Sequence, residues 1–213
     1  MSRDGHLKKF KEKALKSNNI DGVIDIIMNG LREPWPEAEH IIVQRPGLAV
    51  SYAADILQRR MPEAEDLILK SPDLAYHYAK RVIRSTWPEA EEIIATDPYI
   101  ATCYASDVMK ERWPKIENHA LENSFRALDY AINCIKERCE TFEAVIITNP
   151  ITAKRYAVEF MQERWLKAEP TISLHSFSLS GYLTHFNISL EEMNESNPLL
   201  REMDIYTEST LKD

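Results

Sequence analysis

Apolar positions recur along the chain with the period of an α-helix. From Trp87 onward, Trp87, Ala90, Ile93 and Ile94 keep a three-to-four spacing, and Ala101, Tyr104, Ala105, Val108 and Met109 fall at i, i+3, i+4, i+7 and i+8. Strict alternation is absent and helix formers dominate, so a strand reading fails. The stretch predicts two short amphipathic helices. The first opens at Trp87-Pro88-Glu89-Ala90-Glu91. Proline suits the first helical position, whose N–H has no partner in any case, and acidic residues there complement the helix dipole. Asp97-Pro98 stops that helix and starts the second, because an N-cap side chain stands directly before an N1 proline. Ser71-Pro72 and Asn149-Pro150 repeat the device.

The same pattern returns every 26 residues. Trp35, Trp87, Trp113 and Trp165 are all the tryptophans of the chain, and Met61 and Cys139 occupy the two skipped positions. Glu39, Glu65, Glu91, Glu117, Glu143 and Glu169 stand fifth in six consecutive repeats; Tyr52, Tyr78, Tyr104, Tyr130, Tyr156 and Tyr182 stand eighteenth. Alanine lies three residues before and one residue after five of these tyrosines. Such short helix pairs cannot bury an apolar face alone, so neighbours must stack. The predicted fold is all-α, an α-solenoid of two-helix repeats. Residues 1–34 form an N-terminal helical cap, 35–169 the repeat array, and 170–213 a degenerate last repeat with a C-terminal cap. In the first cap, Leu7, Phe10 and Leu15, then Ile20, Val23, Ile24 and Ile27, suggest two helices split near Ser17-Asn18-Asn19. In the last, Pro170 is expected to break the first helix, Ser189-Leu190-Glu191-Glu192 resembles a capping box that opens a final helix, and the terminal residues should fray.

A residue type demanded by every repeat points to a structural role, even though carboxylates and phenols can do acid–base chemistry. Each tyrosine is expected to pack its ring between repeats and bond its hydroxyl to a repeat glutamate. Arg60, Arg112, Arg138 and Arg164, just before the repeat start, would supply further partners for those glutamates. The histidines His6, His40, His77, His119, His175 and His185 show no zinc spacing, and no metal or cofactor is expected. No nucleophile–base–orienter arrangement or phosphate-binding glycine string occurs, so a non-enzymatic protein is expected.

Composition narrows the partners. The chain has 213 residues, 26 basic against 34 acidic side chains and a net charge of −8, which counts against broad nucleic-acid binding. No apolar run approaches the roughly 20 residues of a membrane span, and the start lacks a signal-peptide core. Three cysteines form no even framework: Cys103 is placed on an exposed face, Cys134 and Cys139 toward the seam, and a reducing, cytoplasmic setting is expected. Charge is uneven, with a basic stretch at 1–19 and an acidic one at 170–213. Function is expected where packing does not dictate the residue. On the second helices these positions are Ser51, Ala54, Asp55 and Gln58; His77, Lys80, Arg81 and Arg84; Cys103, Ser106, Asp107 and Lys110; Asp129, Asn133 and Lys136; then Arg155, Glu159 and Gln162. Of these, His77, Lys80, Arg81, Arg84, Asp107, Lys110, Asp129, Asn133, Lys136, Arg155 and Glu159 make the candidate face for a protein partner.

The strings Trp87-Pro88-Glu89-Ala90-Glu91-Glu92-Ile93-Ile94 and Asp97-Pro98-Tyr99-Ile100-Ala101, with Tyr104-Ala105 following, resemble a short helical repeat of uncharacterised proteins from tailed bacteriophages and other large viruses. The resemblance covers roughly residues 35–169 and implies little about activity. Two repeats depart from it, one with Ser124 in place of proline and one with Cys139-Glu140 in place of Trp-Pro, and these departures are expected to mark a bend. A viral origin would imply a factor that binds and inhibits or redirects a host protein in the host cytoplasm. The alternative is an acidic decoy that mimics nucleic acid.

Overall fold

Helical pairs recur where the 26-residue period places them. The computed structural model describes residues 3–16, 22, 23, 26, 27 and 33–201; all its regular structure is helical, and no strand occurs among the described residues. The first helices of the regular repeats are α1 (Pro36–Ile42), α3 (Pro62–Ile68), α5 (Pro88–Ile94) and α8 (Glu140–Ile146). The second helices are α2 (Pro46–Tyr52), α4 (Pro72–Tyr78), α6 (Pro98–Tyr104), α7 (Ser124–Tyr130), α9 (Pro150–Arg155) and α10 (Ser176–Phe186). The chain divides into two compact units, residues 1–109 and 110–213. Within the first, α2, α4 and α6 pack in succession; within the second, α7, α9 and α10 do the same.

The expected N-caps form. Ser71 accepts the backbone N–H of Leu74, Asp97 those of Tyr99 and Ile100, and Asn149 those of Ile151 and Thr152. Ser124 costs its repeat little, because Asn123 still caps α7 through the N–H groups of Phe125 and Arg126. The repeat alanines from Ala49 to Ala157 are fully buried, so within each unit successive second helices meet without intervening bulk. Tryptophan fills the seam on the other side: the Tyr78 and Trp87 ring centroids lie 5.2 Å apart, as do those of Tyr156 and Trp165. In the repeat that begins with Cys139, Phe142 occupies the register held by alanine in most other repeats. It is buried and stacks on Tyr130 at 5.4 Å. A small residue for a large one at the start is thus compensated by a large one for a small one a turn later, as close packing requires. Neither departure interrupts its helices.

Two features differ from the sequence-based expectation. The second helices do not run as α-helix to their ends. Five of them widen into a π-turn, such as Ala79–Ile83, and then stop on a residue with positive φ. That residue is Gln58 (53°), Arg84 (59°), Lys110 (56°), Lys136 (59°) or Gln162 (56°). The i→i−5 bonds Arg84 N–H to Ala79 C=O at 2.7 Å and Lys136 N–H to Ala131 C=O at 2.9 Å mark the wide turn. The second difference concerns Pro170. A first helix split into a 3-10 turn (Leu166–Ala168) and an α-turn (Glu169–Ser173) is found there, with Pro170 in the first turn of the α segment. The same split occurs without an inner proline at Pro114–Ile116 and Glu117–Ala120. Both split repeats carry lysine, Lys115 and Lys167, where three regular repeats carry Glu37, Glu63 and Glu89. An inner proline is therefore not required for such a split, and a lysine whose charge opposes the dipole of the first turn is a feature that both split repeats share.

At the N-terminal side a helix spans Arg3–Lys16, and residues 22, 23, 26 and 27 are helical, with Val23, Ile26 and Ile27 buried. The split expected at 17–19 lies outside the described residues, as does the terminal segment from 202. The capping box forms: Ser189 accepts the Glu192 N–H, Glu192 accepts the Ser189 N–H, and a helix follows over Leu190–Ser196.

Candidate functional site

The recurring tyrosines and glutamates come together as a hub in each repeat, joined in four of them by arginine. In five repeats the tyrosine hydroxyl accepts the backbone N–H of the repeat's first residue: Trp35 N–H donates to Tyr52 at 2.6 Å, Met61 to Tyr78 at 2.6 Å, Trp87 to Tyr104 at 2.7 Å, Trp113 to Tyr130 at 2.6 Å, and Trp165 to Tyr182 at 2.8 Å. It also donates to the repeat glutamate, with separations from 2.9 Å (Tyr78–Glu65) to 3.5 Å (Tyr52–Glu39). Where arginine precedes the repeat start it grips the same carboxylate with two bonds: Arg60 on Glu65 at 2.9 and 2.7 Å, Arg112 on Glu117 at 2.8 and 3.0 Å, Arg138 on Glu143 at 2.8 and 3.1 Å, Arg164 on Glu169 at 2.8 and 3.0 Å. Tryptophan is a poor N-cap side chain. The hub therefore satisfies from outside a backbone donor that the capping position would otherwise leave open.

The electrostatics fit a structural hub. Burial is the main cause that pushes the Tyr78 and Tyr104 phenols up to about 12, and it raises Tyr130, Tyr156 and Tyr182 as well. Hydrogen bonds from Arg60 and Arg112 are the main cause that holds Glu65 and Glu117 below the ordinary carboxylate value. These shifts move acid and phenol away from neutrality, the opposite of what a general acid or base needs. In the last hub Glu169 is fully buried, and Asn197 adds a fourth donor at 2.7 Å from the C-terminal cap.

The predicted partner face is exposed for the most part, but its charges engage one another. Arg81 bonds both carboxylate oxygens of Asp55 at 2.8 Å, joining the same position of successive repeats. Lys80 reaches Asp107 at 2.6 Å and the hydroxyl of Tyr76 at 3.0 Å, and Tyr76 donates to Asp107. His77 lies 3.5 Å from Asp73, and Arg155 pairs with Glu159 one turn along its own helix. Asn133 bonds the Asp129 carbonyl, and Lys136 bonds the Lys110 carbonyl at 2.6 Å. Arg84, Lys110 and Lys136 are exposed at the positive-φ helix ends, along with Gln58 and Gln162. Ser106 does not belong to this face: it is buried. Cys103 is only half exposed.

Another repeat position presents more exposed apolar surface. The residue after the N1 position of the second helix is Gly47, Asp73, Tyr99, Phe125, Ile151 and Phe177 in turn. The last four are 61, 43, 41 and 82% exposed, and Leu174 beside Phe177 is 76% exposed. The N-caps Asn123 and Asn149 fix the backbone from which Phe125 and Ile151 project, each by a 2.9 Å bond to that residue's own N–H. The signal was present in the sequence as four large apolar residues at one register, hidden because a single apolar residue near a helix start is ordinary.

Comparison with models of protein families, with curated proteins and with solved structures gives no match. Among the described residues there is no cluster of three or more histidine, cysteine or acidic side chains placed to hold a metal ion, and no helix long and apolar enough to cross a membrane.

Proposed function

We propose that this chain is a non-enzymatic protein-binding scaffold. The observation that carries the reading is the recurrence of large exposed apolar side chains at one repeat position, Tyr99, Phe125, Ile151 and Phe177. Large apolar side chains left exposed at a recurring repeat position mark interaction surfaces. The recurring glutamates and tyrosines are already engaged by backbone and arginine, so they support a building role better than a chemical one. The same engagement weakens the acidic-decoy reading, which needs its carboxylates turned outward. On the viral resemblance, the partner is a host protein that the scaffold inhibits or redirects inside the infected cell. Affinity purification of the tagged chain from its native cell, with quantitative mass spectrometry, tests the proposal. A stoichiometric protein partner supports it; recovery of nuclease-sensitive nucleic acid instead refutes it.

A further inference from the structure

Within the unit of residues 110–213, the exposed apolar residues surround one cation. Lys154 lies one turn beyond Ile151 on the same helix. Its stem crosses to the next repeat over Gly181: a Cβ built on that glycine would stand 3.3 Å from Lys154 Cε and 3.7 Å from Nζ. Other repeats carry a side chain at this register, Ser51, His77, Cys103, Asp129 and Arg155, so the glycine leaves the place that the lysine fills. Gly181 in turn stands four residues after Phe177 and shares its helix face. Arg155, the neighbour of Lys154, is bound to Glu159, whereas Lys154 has no acidic partner among the described residues. The result is an apolar row, Phe125, Ile151 and Phe177 with Leu174, that has an uncommitted ammonium group at its edge.

We propose that this row docks an amphipathic helix of a partner protein, with a carboxylate of that helix paired to Lys154. The inference rests on the scaffold reading and names its surface. Packed helices stand about 8–10 Å apart, which sets the step of the row from one repeat to the next. A helix presents residues i and i+7 on one face about 10.5 Å apart, close to that step, whereas same-face residues of a strand recur at about 6.6 Å. Phe125, Ile151 and Phe177 also offer no side-chain hydrogen-bond donors. They give an incoming extended strand no partner for its backbone, whereas a helix satisfies its own. Charge complementarity sets the sign: an acidic rim on the incoming helix meets Lys154, and a basic rim is repelled.

The test uses the full chain and three labelled synthetic peptides of about 18 residues. One carries leucines at seven-residue intervals with flanking glutamates, one has lysines in place of the glutamates, and one is a scramble of the acidic peptide. Fluorescence anisotropy should show the acidic peptide binding at least about tenfold more tightly than the other two. Phe177→Ser combined with Ile151→Ser should weaken it at least about tenfold. Lys154→Glu should reverse the preference toward the basic peptide. These side chains lie on the surface, and unchanged circular dichroism and melting of the variants would confirm that folding is intact. Equal binding of acidic and basic peptides, binding that survives the double substitution, or binding of none of the peptides overturns the proposal. A cellular partner still captured by the Phe177→Ser, Ile151→Ser chain leaves the scaffold reading standing and removes this surface from it.

Discussion

Replacing Tyr78 with phenylalanine removes one oxygen from the hub that Met61, Glu65 and Arg60 share. The ring stays, so apolar burial is unchanged, and the loss falls on two hydrogen bonds. The Met61 N–H, buried and bonded at 2.6 Å, is left without a partner, at a cost of about 1–3 kcal/mol. Glu65 loses the donor at 2.9 Å but keeps both bonds from Arg60, which puts that loss near 1 kcal/mol. The total is about 2–4 kcal/mol, or a melting temperature lowered by roughly 5–15 °C for a chain of this size. Calorimetry or denaturant unfolding measures it. Glu65→Gln and the double variant close a thermodynamic cycle in which a coupling of about 1 kcal/mol reports the Tyr78–Glu65 bond. A Tyr78→Phe chain that melts within about 1 °C of the parent would refute the assignment, because an exposed hydroxyl behaves that way.

Other hubs and helix ends yield graded expectations. Glu169→Gln removes the charge of a fully buried carboxylate held by Arg164, Tyr182 and Asn197 and should destabilise by about 3 kcal/mol in urea unfolding. Glu39→Gln, whose nearest base Arg59 stands 4.0 Å away, should cost under about 1 kcal/mol. Arg84→Gly places glycine at a φ of 59° and should raise the unfolding midpoint by up to about 1 kcal/mol in stability. Stability should also fall at both ends of the pH scale. Glu65 and Glu117 have folded-state values below the ordinary one, so their contribution is complete above the unfolded value and lost as acid protonates the folded form. Tyr78 and Tyr104, raised to about 12, contribute fully below the phenol's ordinary value of 10.0 and lose that contribution as pH climbs through 12. Melting scans against pH, with tyrosinate absorbance followed in parallel, should show the buried phenols ionising only as the chain unfolds.

The repeat was legible because stacking imposes the same residue type at the same interval. Tyr104, Glu91 and Ala101 could be read as structural from their recurrence alone, and the caps Ser71, Asp97 and Asn149, each directly before a proline, mark helix starts in any context. The helix ends were not legible, since a left-handed terminus is ordinarily announced by glycine or asparagine and here falls on Gln58, Arg84, Lys110, Lys136 and Gln162. Nor does sequence reveal that a tyrosine oxygen accepts from the backbone 17 residues earlier, because that depends on how the second helix folds back on the first. The compensation between Cys139 and Phe142 is visible only once both side chains share a seam. The predicted partner face named residues that are mainly exposed, yet pairing between repeats, as in Asp55–Arg81 and Lys80–Asp107, engages much of its charge. The more exposed apolar position, one residue past N1, carries no motif and shows its meaning only when exposure is read at the repeat period.

Amide hydrogen exchange at Trp35, Met61, Trp87, Trp113 and Trp165 tests most directly whether the recurring tyrosines build the array. N–H groups at a helix start have no partner inside the helix and ordinarily exchange fast. The hub geometry predicts slow exchange at these five positions, at the rate of the helix interiors, with protection at Met61 lost selectively in Tyr78→Phe. Fast exchange at these amides in the unaltered chain, or slow exchange at Met61 that persists without the Tyr78 hydroxyl, would contradict the account.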